Sequence, residues 1–276
     1  MPTPARPGDA SMPTRSRPGD RWRQGLADRD VPQDLADSAP EPPPSLEPES
    51  FRWRPEEDAH RPVRPSRRRA LEALPDAGSV LDVGVGGGAS SLGLAPRVGS
   101  ITGVDRMPEM LELFEASALA AGVAPRAVLG AWPDVADDVE PVDVAVCHHA
   151  IYGVAEIEDF VVALTTRARR RVVIELSGQL PQARFDPLWK LLHGIDRAHF
   201  SVAEEVHAVL AAMGLAVQRE DIVLPANPRD VTTEFVAFAR RRLFVGPEKD
   251  PEIEQFLRAM TPEPMTVVAL WWPGAA

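Results

Sequence analysis

His148 and His149 stand side by side, and Tyr152, the only tyrosine in the chain, follows three residues later. An imidazole takes up or releases a proton near neutral pH, and a phenol hydroxyl both donates and accepts hydrogen bonds. The group can therefore remove a proton from a substrate; the plainer alternative is that the rings only line a pocket. His148 adjoins an apolar run and is the better candidate to line a cofactor, whereas His149, one residue farther out, is the better one to reach a substrate. A second group is Asp82-Val83-Gly84-Val85-Gly86-Gly87-Gly88. Such a turn lets the backbone come against a ligand, and its amides face whatever sits at the next helix N-terminus. Asp82 suits a ligand with an ammonium group better than a pyrophosphate. A third is Asp105, whose carboxylate can accept from both hydroxyls of a ribose. A nucleotide-like cofactor and a separate proton-handling corner are the chemistry on offer.

These residues need a frame that brings them together. Val80–Val83, Ile101–Val104, Ala127–Leu129, Val142–Cys147 and Arg171–Leu176 read as strands, with helices over Ala89–Ala95, Pro108–Ala121 and Ile157–Ala168 between them. Strands that are apolar throughout belong to a parallel sheet covered on both faces. Leu215–Leu224 and Thr266–Trp272 complete seven strands. The fold class is α/β, a doubly wound, mainly parallel seven-stranded sheet with extra helices toward the C-terminus. Ser66 reads as the N-cap of a helix over Arg67–Leu74, Ser201 and Thr232 or Thr233 as caps of later ones. Two helices between the last two strands either pack or roof a substrate pocket. His193 and Trp189, after the fifth strand, face the same cleft in this reading, with packing the default for Trp189.

The chain has 276 residues, 44% hydrophobic and 26% charged, with a formal net charge of −11. An acidic chain disfavours a nucleic-acid partner. One cysteine, Cys147, permits no intramolecular disulfide and fits a reducing compartment. No apolar run approaches a membrane span and no secretory h-region is present, so the expectation is a cytoplasmic protein. Nothing sets the oligomeric state. Residues 1–48 are rich in proline and poor in apolar residues and read as a disordered tail; residues 49–276 read as one domain. The basic runs Arg67-Arg68-Arg69, Arg167 to Arg171 and Arg240-Arg241-Arg242 read as solvated helix ends.

Gly84-x-Gly86-x-x-Ala89 also satisfies a dinucleotide fingerprint, which leaves an NAD(P)-dependent oxidoreductase open. Asp82-x-Gly84-x-Gly86-x-Gly88, Asp105 followed by Arg106-Met107-Pro108, and the strand and loop Val142 to Tyr152 together resemble class I S-adenosylmethionine-dependent methyltransferases over roughly Arg68 to Leu176. The resemblance implies a Rossmann-like methyltransferase fold with S-adenosylmethionine as cofactor. It assigns Gly84, Val85, Gly86 and Gly88 to the methionine part, with Asp82 supporting that end through the loop, Asp105 to the ribose, and Arg106 and Met107 to the surroundings of the adenine. Many members carry an acid after the third strand; here the region reads Leu129-Gly130-Ala131-Trp132-Pro133-Asp134, so Asp134 or a backbone carbonyl would serve, and Trp132 either packs on the adenine beside Ala131 or is plain core. The loop that marks amino methyltransferases of nucleic acids or protein amides is absent, which points to a small-molecule acceptor, with His149, His148 and Tyr152 as catalytic candidates. A non-catalytic protein that binds the same cofactor is the remaining alternative.

Overall fold

The structure is a computed structural model that describes residues 17–60, 62–95 and 97–275. Its centre is one seven-stranded sheet: β1 (Gly78–Val83), β2 (Val98–Asp105), β3 (Ala124–Leu129), β4 (Val142–His148), β5 (Ala168–Ser177), β6 (Gln218–Leu224) and β7 (Met265–Pro273). The spatial order is β3-β2-β1-β4-β5-β7-β6. Strands β1 to β5 pair in parallel, while β7 runs antiparallel to both β5 and β6. All seven strands fall where the sequence places them, with shifted ends. The order reverses between β1 and its neighbours β2 and β4, and a crevice opens there at the carboxyl ends of the strands. The glycine turn follows β1 and the His148-His149 pair ends β4, so the switch point brings them together.

The inner strands β1, β4 and β5 are buried almost throughout. One face of the sheet packs on α7 (Ile157–Arg167) and α9 (Val202–Ala212), the other on α4 (Pro65–Ala73), α5 (Ala89–Leu92) and α6 (Pro108–Ala120). Helix α5 is shorter than its pattern implied. Helices α8 (Asp186–His193), α10 (Thr233–Arg242) and α11 (Asp250–Ala259) gather around a separate apolar cluster of Phe185, Leu188, Trp189, Leu243 and Ile253. They pack on each other and do not roof the cleft. Trp189 is core, and His193 Nε2 bonds the Leu243 carbonyl at 2.7 Å. Of the proposed caps, Thr232 accepts from the Phe235 amide, while Ser201 occupies its cap position without a side-chain bond. Ser66 is not a cap: α4 starts two residues earlier with Arg64 at the N-cap, which frees the Ser66 hydroxyl for a partner on β5.

The expectation of a disordered tail over residues 1–48 fails for residues 17–48; residues 1–16 lie outside the described residues. Pro18–Ala27 form α1 and Gln33–Ser38 form α2, followed by the short α3 (Pro55–Ala59). A few anchors replace a continuous apolar stripe. Trp22 is fully buried, its Nε1 donates to the Val154 carbonyl at 2.7 Å, and its ring meets Phe200 with centroids 5.5 Å apart. Arg23 pairs with Glu156, and Arg29 makes a two-pronged, largely buried contact with Asp186. The arginine run at the end of α10 holds the same segment: Arg240 bonds Glu41 and Asp250, and Arg241 bonds the Pro42 carbonyl. That run is therefore a clasp rather than a solvated helix end.

Candidate active site

A cavity of about 730 Å³ opens at the switch point. Its walls include the loop Gly84–Gly87, Asp105, Arg106 and Met107, Ala131 and Trp132, and His148, His149 and Tyr152. One space thus joins nearly all the residues singled out above. Leu46 and Phe51 of the N-terminal segment, and Arg64, Ser66 and Glu175, also border it; none of these five was expected at the site.

The glycine turn is shaped by contacts on both sides. Gly84 has φ +73°, and a Cβ there would lie 2.3 Å from the Ala150 Cβ in the loop after β4. At Gly87 a Cβ would lie 2.0 Å from the Phe51 carbonyl oxygen, because the N-terminal segment crosses the turn at that point. Only glycine allows those two approaches. Asp105 ends β2 and accepts from the Gly86 amide at 3.0 Å through one oxygen and from the Met107 amide at 3.1 Å through the other. Its carboxylate is fixed in the cavity wall with lone pairs left over, as a ribose contact requires.

Asp82 is placed differently from the direct ligand contact its charge invited. It is fully buried and does not border the cavity. Its Oδ2 accepts from the Ser91 hydroxyl at 2.6 Å and Oδ1 has no partner among the described residues. Burial pushes its carboxyl up to about 7, against the Ser91 bonds. Asp82 therefore ties the start of α5 to β1 and acts on the turn from behind. Trp132 has both roles left open for it: it belongs to the main core, its Nε1 donates to the Phe160 carbonyl at 3.1 Å, and its ring borders the cavity. Asp134 is not among the cavity's lining residues.

The second wall is a polar network at the carboxyl ends of β4 and β5. His148 lies opposite Glu175 in the parallel register, and the His149 amide donates to the Glu175 carbonyl at 2.8 Å. His149 has φ +55°, a region that costs a non-glycine residue roughly 1 kcal/mol. That turn folds its ring back between two partners: Nδ1 lies 2.7 Å from the Tyr152 hydroxyl and Nε2 3.2 Å from Glu175 Oε1. Tyr152 accepts from the Ser177 amide at 2.9 Å and meets the Ser177 hydroxyl at 2.9 Å. Glu175 is nearly inaccessible and is held at both oxygens, by Arg64 at 2.7 Å on Oε1 and by the Ser66 hydroxyl on Oε2. Burial alone would push its carboxyl up; the His149 bond, the charges of His148 and Arg64 and the Ser66 bond outweigh that and hold it at about 2. Burial lowers His148 to about 4, so its ring is neutral at pH 7, and its Nε2 is buried with no partner among the described residues. Burial likewise pushes the Tyr152 hydroxyl up.

Glu175 had one legible signal, a lone acid in the otherwise apolar run Val172-Val173-Ile174-Glu175-Leu176 at the ligand-binding end of a strand. Residues 80–172 match a family profile described as a methyltransferase domain. Over that third of the chain the sequence is similar to methyltransferase domains. Its fold is shared with the YcgJ protein from Bacillus subtilis, at 18% identity and TM-score 0.51 over 76% of this chain and 98% of that one. It is shared also with a putative methyltransferase from Bacillus halodurans, at 14% identity and TM-score 0.50 over 76% and 99%. A third similar structure is a methyltransferase from Thiobacillus denitrificans solved with S-adenosyl-L-homocysteine, at 19% identity and TM-score 0.49 over 89% and 100%. No curated protein sequence matches the chain. Among the described residues no helix is long and apolar enough to cross a membrane.

Proposed function

We propose that this methyltransferase passes the methyl group of S-adenosylmethionine to a small molecule bound between the glycine turn and the His149–Tyr152 wall. The carrying observation is the single cavity that joins Asp105 and the Gly84–Gly87 loop to His149, Tyr152 and Glu175. Its volume is that of a site for one cofactor and a small partner. When bound, the cofactor supplies a methyl already activated on a sulfonium, so the protein's part is to align an acceptor and handle its proton.

In this reading Gly84, Val85, Gly86 and Gly88 receive the methionine part, with Asp82 bracing the turn. Asp105 holds the ribose, and Arg106, Met107, Ala131 and Trp132 surround the adenine. The neutral His148 ring offers its unpartnered Nε2 to the ligand, and His149 and Tyr152 stand on the acceptor side. An acidic chain and a cleft narrowed by Leu46 and Phe51 favour a small acceptor over a nucleic acid. The reading places the protein in the cytoplasm, where the single, buried Cys147 stays reduced.

Calorimetry with S-adenosylhomocysteine and with NADH tests the cofactor. Binding of the first is expected, and binding of NADH alone would overturn the reading. Release of S-adenosylhomocysteine with a panel of phenols, amines and carboxylic acids then tests transfer. Tight cofactor binding without turnover on any of them would favour a binding protein instead.

A further inference from the structure

The α8–α10 cluster carries three arginines that the fold leaves without a counter-charge. In the run that ends α10, Arg240 bonds Glu41 and Asp250. The guanidiniums of Arg184, just before α8, of Arg229, just before α10, and of Arg242, the last residue of α10, have no ion pair and no hydrogen bond among the described residues. Each lies over an aromatic ring instead. Arg184 is 4.9 Å from the Phe185 centroid and 5.4 Å from that of Phe235, Arg229 is 5.9 Å from Phe235, and Arg242 is 5.5 Å from Phe238. Phe235 and Phe238 stack with centroids 6.4 Å apart, three residues apart on one face of α10. Two guanidiniums therefore share one ring, and a third covers the next. A ring face offsets part of the cost of desolvating a cation but does not neutralise it. Burial holds Arg184 below the usual guanidinium range, and the like charge of Arg229 pushes the same way, with no acid acting against them. Burial also lowers Arg242. The Nε atoms of Arg184 and Arg242 are buried without a partner, while their terminal nitrogens, equally unpaired, stay open to solvent. Unpaired polar groups of this kind call for a partner from outside the chain.

We propose that Arg184 and Arg229 bind the phosphate of a small phosphate ester, with Arg242 adding its charge farther along the same face. A phosphate ester carries about −1.5 to −2 charge at pH 7 and offers three strong acceptor oxygens, which two planar guanidinium forks can share. A carboxylate brings one charge and two oxygens and leaves one of the two guanidiniums uncompensated. The site is separate from the methyl-transfer cavity, whose lining includes none of the three arginines. It stands at the same end of the sheet. Arg184 follows β5 and Arg229 follows β6, and both strands run antiparallel to β7, so their carboxyl ends point the same way. A phosphate ester held there sits at the edge of the sheet where the cleft opens, and its binding needs no cofactor.

The test uses the full chain labelled with ¹⁵N-arginine and follows the Nε–H signals by NMR near neutral pH at fixed ionic strength. Inorganic phosphate, glycerol 3-phosphate and succinate are titrated in separate series. Both phosphates are expected to give saturable shifts at Arg184, Arg229 and Arg242, with no saturable shift at the exposed Arg169 and none from succinate. Arg229→Gln should weaken both phosphates at least about tenfold at the Arg184 signal, the loss that follows from removing one charge-assisted hydrogen bond. Arg184→Gln should weaken them similarly at the Arg229 signal. If Arg184→Gln does not fold, the parent spectra and Arg229→Gln, a change at an exposed position, decide. Shifts that never saturate, that appear equally at Arg169 or with succinate, or that survive Arg229→Gln would overturn the site. Saturation by inorganic phosphate with glycerol 3-phosphate excluded would overturn the assignment to an ester.

Discussion

Asp105 serves two loop amides before any ligand arrives, so its removal acts twice. Asp105→Ala takes the proposed ribose acceptor away and releases the Gly86 and Met107 amides that shape the turn. Hydrogen bonds to a charged group contribute about 1.5–3 kcal/mol each, so calorimetry should show S-adenosylhomocysteine affinity lowered by at least about tenfold. Asp82 makes a different kind of prediction. The folded chain holds its proton more tightly than the unfolded chain does, because burial disfavours the charge. Its stabilising share is therefore complete below pH 4 and is lost as pH rises from about 4 to about 7. Asp82→Asn removes that loss. Relative to the parent it should gain stability through this range, by on the order of 4 kcal/mol if the whole shift is expressed. Denaturant midpoints at pH 5, 6.5 and 8 check this, because the opposing contributions of His148 and Glu175 are common to both proteins. At this scale the sequence showed residues that line the cavity, among them glycines of the turn, Asp105 and the His148–Tyr152 group, since their types carry the chemistry. Glu175, Arg64 and Ser66 were hidden because their roles depend on one another across distant elements. An arginine and a serine at a helix start look like helix-start residues until β5 is placed beside them.

Among the elements, the strands were readable because each inner strand carries a mainly apolar stretch, and only their ends moved. Helices α1 and α2 were not, because proline and charge dominate residues 17–48 and the buried anchors are single residues spaced too far apart to form a stripe. Trp22 is the main one. Trp22→Ala empties a fully buried site and orphans the Val154 carbonyl, and should cost about 3–5 kcal/mol in denaturant unfolding. The arginines that looked like solvated ends gain meaning in the same way: Arg240 and Arg241 find their partners in Glu41 and Pro42, 199 residues away along the chain.

Across the whole molecule, the N-terminal segment links the α8–α10–α11 cluster to the cofactor turn. Leu46 and Phe51 border the cavity, and Trp22 grips Val154, which borders it from the other side. Deleting residues 1–48 should therefore weaken S-adenosylhomocysteine binding, by roughly 3–10-fold for the loss of about 1 kcal/mol of apolar contact. Unchanged affinity in calorimetry would show that the segment only braces the fold. The sheet order carries a further consequence. Strand β7 is the last of the seven along the chain, yet it sits between β5 and β6 and supplies the only pairing that β6 has among the described residues. During synthesis, β5 and β6 must wait with exposed edges until Met265–Pro273 has left the ribosome. Closing the sheet then means inserting a strand into a prepared slot, a late step built on non-local contacts. A chain stopped short of Met265 would keep those edges open and would aggregate through them rather than fold into a smaller enzyme.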